Sequence, residues 1–213
     1  MTQKCVDNKY FHGETYFSYK DFRDIIFKNC NLDDFSFYNC TFSNVKFKNC
    51  NFTNATIETC TFINCDFSFE DISECYIHDC SFHNTSFDIC YFYGCTISRI
   101  SFFISDFRFT TFDKVNGFKL SFYENVFDKV CFKRSSFQEI DFYREHFMDC
   151  LFTNCSLCNA QFTGCFSTSS EYVDNSYEDF NMFNCKFNRK CNVVDEEVKK
   201  FAIFVGWEPP REE

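Results

Sequence analysis

Proline and glycine are nearly missing from this chain, with two and five in 213 residues. Tight turns usually draw on both, so the turns here must come from other residues. Histidine is scarce too: His12, His78, His83 and His146 are the whole set. No P-loop, nucleophile elbow or dinucleotide-binding glycine pattern occurs, which removes the common motifs of nucleotide-binding and acyl-transfer enzymes. No run of about 18 apolar residues is present, so no segment is expected to span a membrane. The opening MTQKCVDNKYFHG lacks an apolar h-region and does not read as a signal peptide. A cytoplasmic setting with reduced thiols is therefore expected. Cations are outnumbered, 21 Lys and Arg against 31 Asp and Glu, for a net charge of −10. That balance disfavours direct nucleic-acid binding by counterion release and favours a basic partner surface.

Phenylalanine and cysteine are abundant, at 35 and 17 residues. They follow one frame. Taking every fifth residue from Phe17 to Phe187 gives 35 slots, of which Phe fills 24, Ile four, Leu and Tyr two each, and Met one; only Gly117 and Ser167 fail. Five is the period of neither a strand nor a helix, and a frame this long marks a repeat protein. Fourteen of the 17 cysteines lie two residues before a slot, with Cys5 counted by extrapolation; Cys131, Cys158 and Cys191 do not. Residues two apart point to the same side of an extended backbone. The small residue and the large apolar one therefore both point inward, and the remaining two residues turn the chain. Repeated corners of one sense wind a coil of polygonal cross-section. Asn precedes the inward cysteine at Asn29, Asn39, Asn49, Asn64, Asn154 and Asn184. Its tolerance of unusual backbone angles supplies the corners that glycine does not. Cysteine reads as a small buried hydrophobe.

The stretches CTFSN, CNFTN and CSFHN fit the motif of the pentapeptide-repeat family, and the chain resembles that family over residues 15–190. The resemblance implies an all-β solenoid, a right-handed quadrilateral β-helix with four pentapeptides per coil. The slots then make about nine coils, a rod of roughly 40 Å at ~4.8 Å per coil. The expected organisation is an N-terminal cap over 1–14, the β-helix over 15–190, and a C-terminal α-helix and tail over 191–213.

Metal and enzyme chemistry find little support. The cysteines would form ladders on one wall, whereas zinc needs ligands converging tetrahedrally. The C-x-x-C of Cys155 and Cys158 is split by the frame, one inward and one outward. All four histidines fall outside the inward positions and are expected to be solvated. The reading is of a non-enzymatic protein with no cofactor and no metal. Two carboxylates, Glu70 and Glu145, occupy inward positions. Because burying an unpaired carboxylate is costly, local distortion that lets them reach solvent is expected.

Assigning outward residues to four walls shows a charge asymmetry. The wall of slots Leu32 to Tyr172 carries Asp33, Asp34, Glu70, Asp71, Glu74, Asp113, Glu171 and Asp174 against Lys114, Lys133 and Arg134, net −5. The other three net −3, −1 and +1. The resemblance extends to the Qnr-type quinolone-resistance and microcin-immunity branch, which implies an acidic DNA mimic that protects a type II topoisomerase, DNA gyrase or topoisomerase IV. The alternatives are a general protein-interaction scaffold, or a mimic that inhibits another nucleic-acid enzyme. Duplex DNA of the same length would carry about 24 charges, whereas the four walls together net −8. Mimicry would therefore cover part of the rod. Candidate partner-binding residues are Asp33, Asp34, Asp66, Glu70, Asp71, Glu74 and Asp79, with Phe103 and Phe109 from the outward-facing ISFFISDFRF.

The segment VVDEEVKKFAIFVGWEPP breaks the frame. Asp195 suits a helix cap, with Glu196 and Glu197 in the first turn. Val194, Val198, Phe201 and Val205 recur at helical spacing, and Gly206, Pro209 and Pro210 end it. A cap for the open end of the coil is one use of such a helix. Apolar residues on more than one side also suggest a homodimer contact, through Val198, Phe201, Ala202, Phe204, Val205 and Trp207.

Overall fold

The computed structural model describes residues 4–7, 15–187 and 191–204, and for 201–204 the backbone alone. Short strands such as Thr41–Ser43, Thr61–Ile63 and Ser81–His83 alternate with corners. Each strand pairs in parallel with the one 20 residues on, as in Phe42↔Phe62 and Phe62↔Phe82. Four pentapeptides thus close one turn, and the whole is a parallel β-solenoid of about 9 turns.

The corners have one cause. Every fifth residue from Tyr19 to Asn184 has a positive φ, between 48° and 69°. Asn, Asp and Gly accept that conformation most readily, and they hold most corners of the early coils, with Tyr19, Thr59, Phe69, Glu74 and Ile89 as exceptions. From Arg99 to Arg144 no corner is Asn, Asp or Gly, yet the angle is unchanged. Ladder bonds to the coils on either side impose it there.

Inside, each slot stacks on the same slot one coil away. From Phe22 through Phe42, Phe62, Phe82, Phe102 and Phe122 to Phe142, ring centroids lie 4.6–5.0 Å apart and near parallel. Neighbouring walls meet edge to face, as Phe62 and Phe67 do at 5.4 Å and 65°. Such pairs add roughly 0.5–1.5 kcal/mol each beyond area burial.

The two failed slots do not break the coil. At Gly117, a Cβ would come within 2.6 Å of the Phe137 ring, so the ring from the next coil fills the gap. At Ser167, the hydroxyl meets that of Tyr172. Phe118 is half-buried and Phe166 exposed, so neither replaces its neighbouring slot.

The frame slips by one residue at both ends. The strand β1 (Lys4–Asp7) pairs Val6 with Phe27 and Cys5 with Ile26, an offset of 21. Val6 packs on the core and Cys5 is exposed, so the extrapolated frame at Cys5 fails. Tyr172↔Val193 shows the same offset at the other end. The helix α1 (Glu196–Phe204) follows, with Val198 fully buried on the core. The Asp195 side chain does not act as the expected cap. Its carboxylate accepts hydrogen bonds from Asn175 Nδ2 at 2.9 Å and the Tyr177 hydroxyl at 2.7 Å, continuing the coil.

Candidate protein-binding surface

The inward small residue does more than fill space. The Cys60 thiol donates to the carbonyl of Phe37, the slot one coil earlier, at 3.5 Å, and Cys75 does the same to Phe52 at 2.8 Å. Ser135, Ser170, Asn125 and Asn175 make the equivalent bond to Phe112, Phe147, Phe102 and Phe152. The same position also accepts: Cys60 N–H donates to Cys80 Sγ and Val115 N–H to Ser135 Oγ. The reading of cysteine as a small hydrophobe therefore missed its donor role, which explains why Ser, Thr and Asn substitute for it. Burial pushes the Cys50 and Cys150 thiols up to about 12; at Cys60 the hydrogen bond with Cys40 pulls down, and the one with Cys80 and burial together outweigh it, raising the thiol to about 12 as well. They are inert thiols. Cys155 is buried and Cys158 half-buried, as their frame positions require. Among the described residues, no group of three or more His, Cys, Asp or Glu is placed to hold a metal.

The two inward carboxylates do not reach solvent, contrary to expectation. Glu145 Oε2 accepts from Asn125 N–H at 2.7 Å and Oε1 from Asn125 Nδ2 at 3.2 Å. Burial pushes the Glu145 carboxyl up to about 8, against the pull of those bonds. Glu70 Oε2 accepts from Cys50 N–H at 2.8 Å, while Oε1 is buried without a partner. Its carboxyl is also raised by burial. Burial shifts both carboxyls toward the neutral form where distortion toward solvent was expected, and Glu70 is no surface residue.

Asp113 departs from its position in the opposite sense. It is an outward residue, yet 1% exposed. Arg134 clasps both its oxygens, the Tyr91 hydroxyl donates to it at 2.9 Å, and the Lys133 ammonium lies 3.6 Å away. Burial opposes the charge, but these partners outweigh it and hold the carboxyl below its usual range. Lys114 binds the Tyr93 hydroxyl alongside at 2.8 Å. A cationic cluster therefore splits the most acidic wall. On its N-terminal side Asp33, Asp34, Asp71 and Glu74 remain exposed, and on the other side Glu171 and Asp174.

The other candidates scatter around the coil. Asp66 is half-buried beside Lys46 at 3.6 Å, and Asp79 is engaged by Arg99 and by His78 at 3.2 Å. Phe103 is not exposed as expected: it stacks on His83 at 4.8 Å and meets the tilted ring of Tyr123 at 6.1 Å, with Tyr143 next in the row. Ile104 and Phe109 are exposed. The described histidines are half-buried rather than solvated; His78 Nδ1 lies 2.6 Å from Ser98 Oγ, and His12 falls outside the described residues. An open cleft lined by Asn29, Asn31, Asn49, Asn51, Thr53 and Asp71 indents one edge, where the sequence suggested no pocket. Its carboxamides are bonded to each other, Asn49 to Asn29 at 2.8 Å and Asn51 to Asn31 at 3.1 Å. Of the dimer candidates, Val198 is spent on the core; Phe201, Ala202 and Phe204 lie in α1; Val205 and Trp207 are outside the described residues.

The model of the Pentapeptide repeats family matches residues 21–58 in eight copies. Those residues carry the repeats of that family. The same coil continues well past the matched residues, with pairing 20 residues on as far as Ser167↔Phe187. No curated protein matches. Among solved structures, this chain is similar to full-length QnrB1, a plasmid-mediated fluoroquinolone resistance protein (13% identity, 89% of this chain and 98% of that one, TM-score 0.37). It is also similar to HetL, involved in heterocyst differentiation regulation in the cyanobacterium Nostoc (8% identity, 80% and 90%, TM-score 0.37). A third likeness is to PfbA, a surface adhesin of Streptococcus pneumoniae (9% identity, 81% and 61%, TM-score 0.41). Identities and scores are low, and no function is taken from them.

Proposed function

We propose that this pentapeptide-repeat coil is a non-enzymatic, protein-binding rod acting in the cytoplasm. Its acidic N-terminal half would occupy the basic surface of a DNA-handling enzyme in place of DNA. A type II topoisomerase, DNA gyrase or topoisomerase IV, is the first target, with protection from quinolone or toxin poisoning as the outcome. The observation that supports this reading is the exposed set Asp33, Asp34, Asp71 and Glu74 on one side of a regular rod. Rigid, repeating negative charge is what a saddle lined with Lys and Arg attracts. The cluster around Asp113 restricts the mimicry to the coils before it. A supercoiling assay with gyrase, with and without ciprofloxacin, tests the proposal. Rescue or inhibition at micromolar protein, lost on reversing Asp71 and Glu74 to Lys, is expected. No effect on either activity rejects the topoisomerase target.

A second reading, a protein-interaction scaffold without DNA-like character, is favoured by that same cluster, since Lys114, Lys133 and Arg134 interrupt the acidic wall. Under it, the Lys reversals leave every topoisomerase activity unchanged.

A further inference from the structure

Exposed apolar residues also hold the corners at Tyr19 and Ile104, but on one edge three of them follow on successive coils. Phe69, Ile89 and Phe109 occur 20 residues apart on the edge between the Phe27 and Leu32 walls, so they rise one above another at about 4.8 Å. They are 74%, 48% and 52% exposed. Their φ angles are 69°, 59° and 55°. On the same edge, the earlier coils place Asn29 and Asn49, which suit that conformation. A bulky side chain there costs about 1–2 kcal/mol, and an exposed one regains little by burial. The stability of the coil accounts for none of the three.

Their surroundings are acidic. Asp66, Asp88, Asp106 and Asp128 stand half-buried on the Phe27 wall and Asp71 exposed on the Leu32 wall. Lys46 and Arg108 lie 3.6 and 3.7 Å from Asp66 and Asp106. Burial, then the charges of Asp106 and Asp66, raise the Asp88 carboxyl against the pull of Arg108. The ridge already holds one cation: the Lys129 ammonium sits 4.9 Å from the centre of the Phe109 ring.

We propose that the ridge of Phe69, Ile89 and Phe109 docks a cationic amphipathic α-helix of a partner protein. The rise of a helical turn, about 5.4 Å, nearly matches the step between corners. Apolar side chains on three successive turns can therefore lie along the three ridge residues. Lys or Arg flanking that stripe would meet Asp66, Asp88, Asp106 and Asp128 of the Phe27 wall and Asp71 of the Leu32 wall, whose Lys114, Lys133 and Arg134 leave the Phe109 end of that side less acidic. Nucleic acid and anionic lipid would meet the same aspartates with repulsion, and so would a second copy of this edge. The ridge lies on a different edge from Asp34 and Glu74, and the inference does not rest on the topoisomerase reading.

The test uses the full chain and a fluorescein-labelled model peptide of about 14 residues, with Leu on one helical stripe and Lys elsewhere. Its control carries Glu in place of Lys. Anisotropy titration at low salt is expected to show roughly micromolar binding of the Leu/Lys peptide and none of the Leu/Glu peptide. In the variant F69N/I89N/F109N, affinity should fall about tenfold or more. Its melting point should not fall, because Asn suits these corners, so lost binding cannot be blamed on unfolding. Equal binding by native protein and variant would overturn the proposal, since the aspartates alone would then capture the peptide. Absence of binding would overturn it too. So would a native dimer in sedimentation that the triple variant dissolves, because a second copy would then be the occupant.

Discussion

The Tyr172 hydroxyl lies 2.9 Å from Ser167 Oγ, with both groups sealed inside the coil. Ser167 gives up a ring in its own slot, and Tyr172, one slot later, adds a hydroxyl that reaches into the space. Removing either hydroxyl leaves the other buried without this bond. S167A or Y172F alone should each cost about 1–3 kcal/mol, whereas the double variant should cost less than their sum. Urea unfolding of the four proteins checks this, and additive losses would show that the two groups act independently.

Stability should fall as pH rises, because of Glu145. Its carboxyl is raised in the folded protein from 4.5 to about 8, so the folded state holds a proton that the unfolded chain has released. The associated stability is fully present below pH 4.5 and is lost as pH rises through about 8. A loss on the order of 2–4 kcal/mol is expected. Glu145→Gln, which stays neutral, should flatten that slope and make the variant the more stable protein at pH 8. Denaturation midpoints at pH 5 and pH 8 decide, and parallel slopes would mean Glu145 is charged in both states.

The Asp113 cluster should be sensitive to loss of one partner. Arg134→Ala leaves a buried carboxylate facing only Tyr91 and Lys133. The expected cost is about 2–3 kcal/mol, less than for breaking a fully buried pair, because the Arg134 side chain is itself 55% exposed. Asp113→Asn combined with Arg134→Ala should recover much of it. A thermal melt of the single and double variants measures both effects.

Gly117 is required by its neighbour's ring. A Cβ would stand 2.6 Å from Phe137 Cδ1 and 2.9 Å from Leu120 Cδ1, so Gly117→Ala should destabilise by about 1–3 kcal/mol. Adding Phe137→Leu should restore part of the loss by removing the ring that clashes. If the double variant is worse than G117A, the gap is not filled by Phe137.

Assembly through the C-terminal helix is a separate expectation. Val198 is committed to the core, so a dimer through this helix would have to use its other residues. Light scattering of the intact chain should give twice the monomer mass of 25.5 kDa, and a chain ending at Asn192 should not. A monomeric intact chain at tens of micromolar would leave α1 as a cap alone.

The repeat was legible in the sequence because it is a one-dimensional pattern. A large apolar residue every fifth position, with a small one two before it, sets which side chains face inward from Phe17 to Phe187, though not in the end strands, where the frame slips by one residue. Phe42, Phe62 and Phe82 could be placed on one wall before any coordinates only because the family resemblance implied four repeats per coil. The corners were legible only where Asn or Asp holds them; at Lys119 or Arg134 the residue gives no hint, and the positive φ comes from the coils above and below. The tertiary structure alone decided the fate of charge. Glu70 and Glu145 stay inside because stacked coils offer backbone N–H groups to them, a gain invisible in sequence. Asp113 is buried because Arg134 and Tyr91, 21 residues ahead and 22 behind, close over it from adjacent turns. Sequence spacing determined the direction in which each side chain points; what it meets there depended on neighbours one coil away.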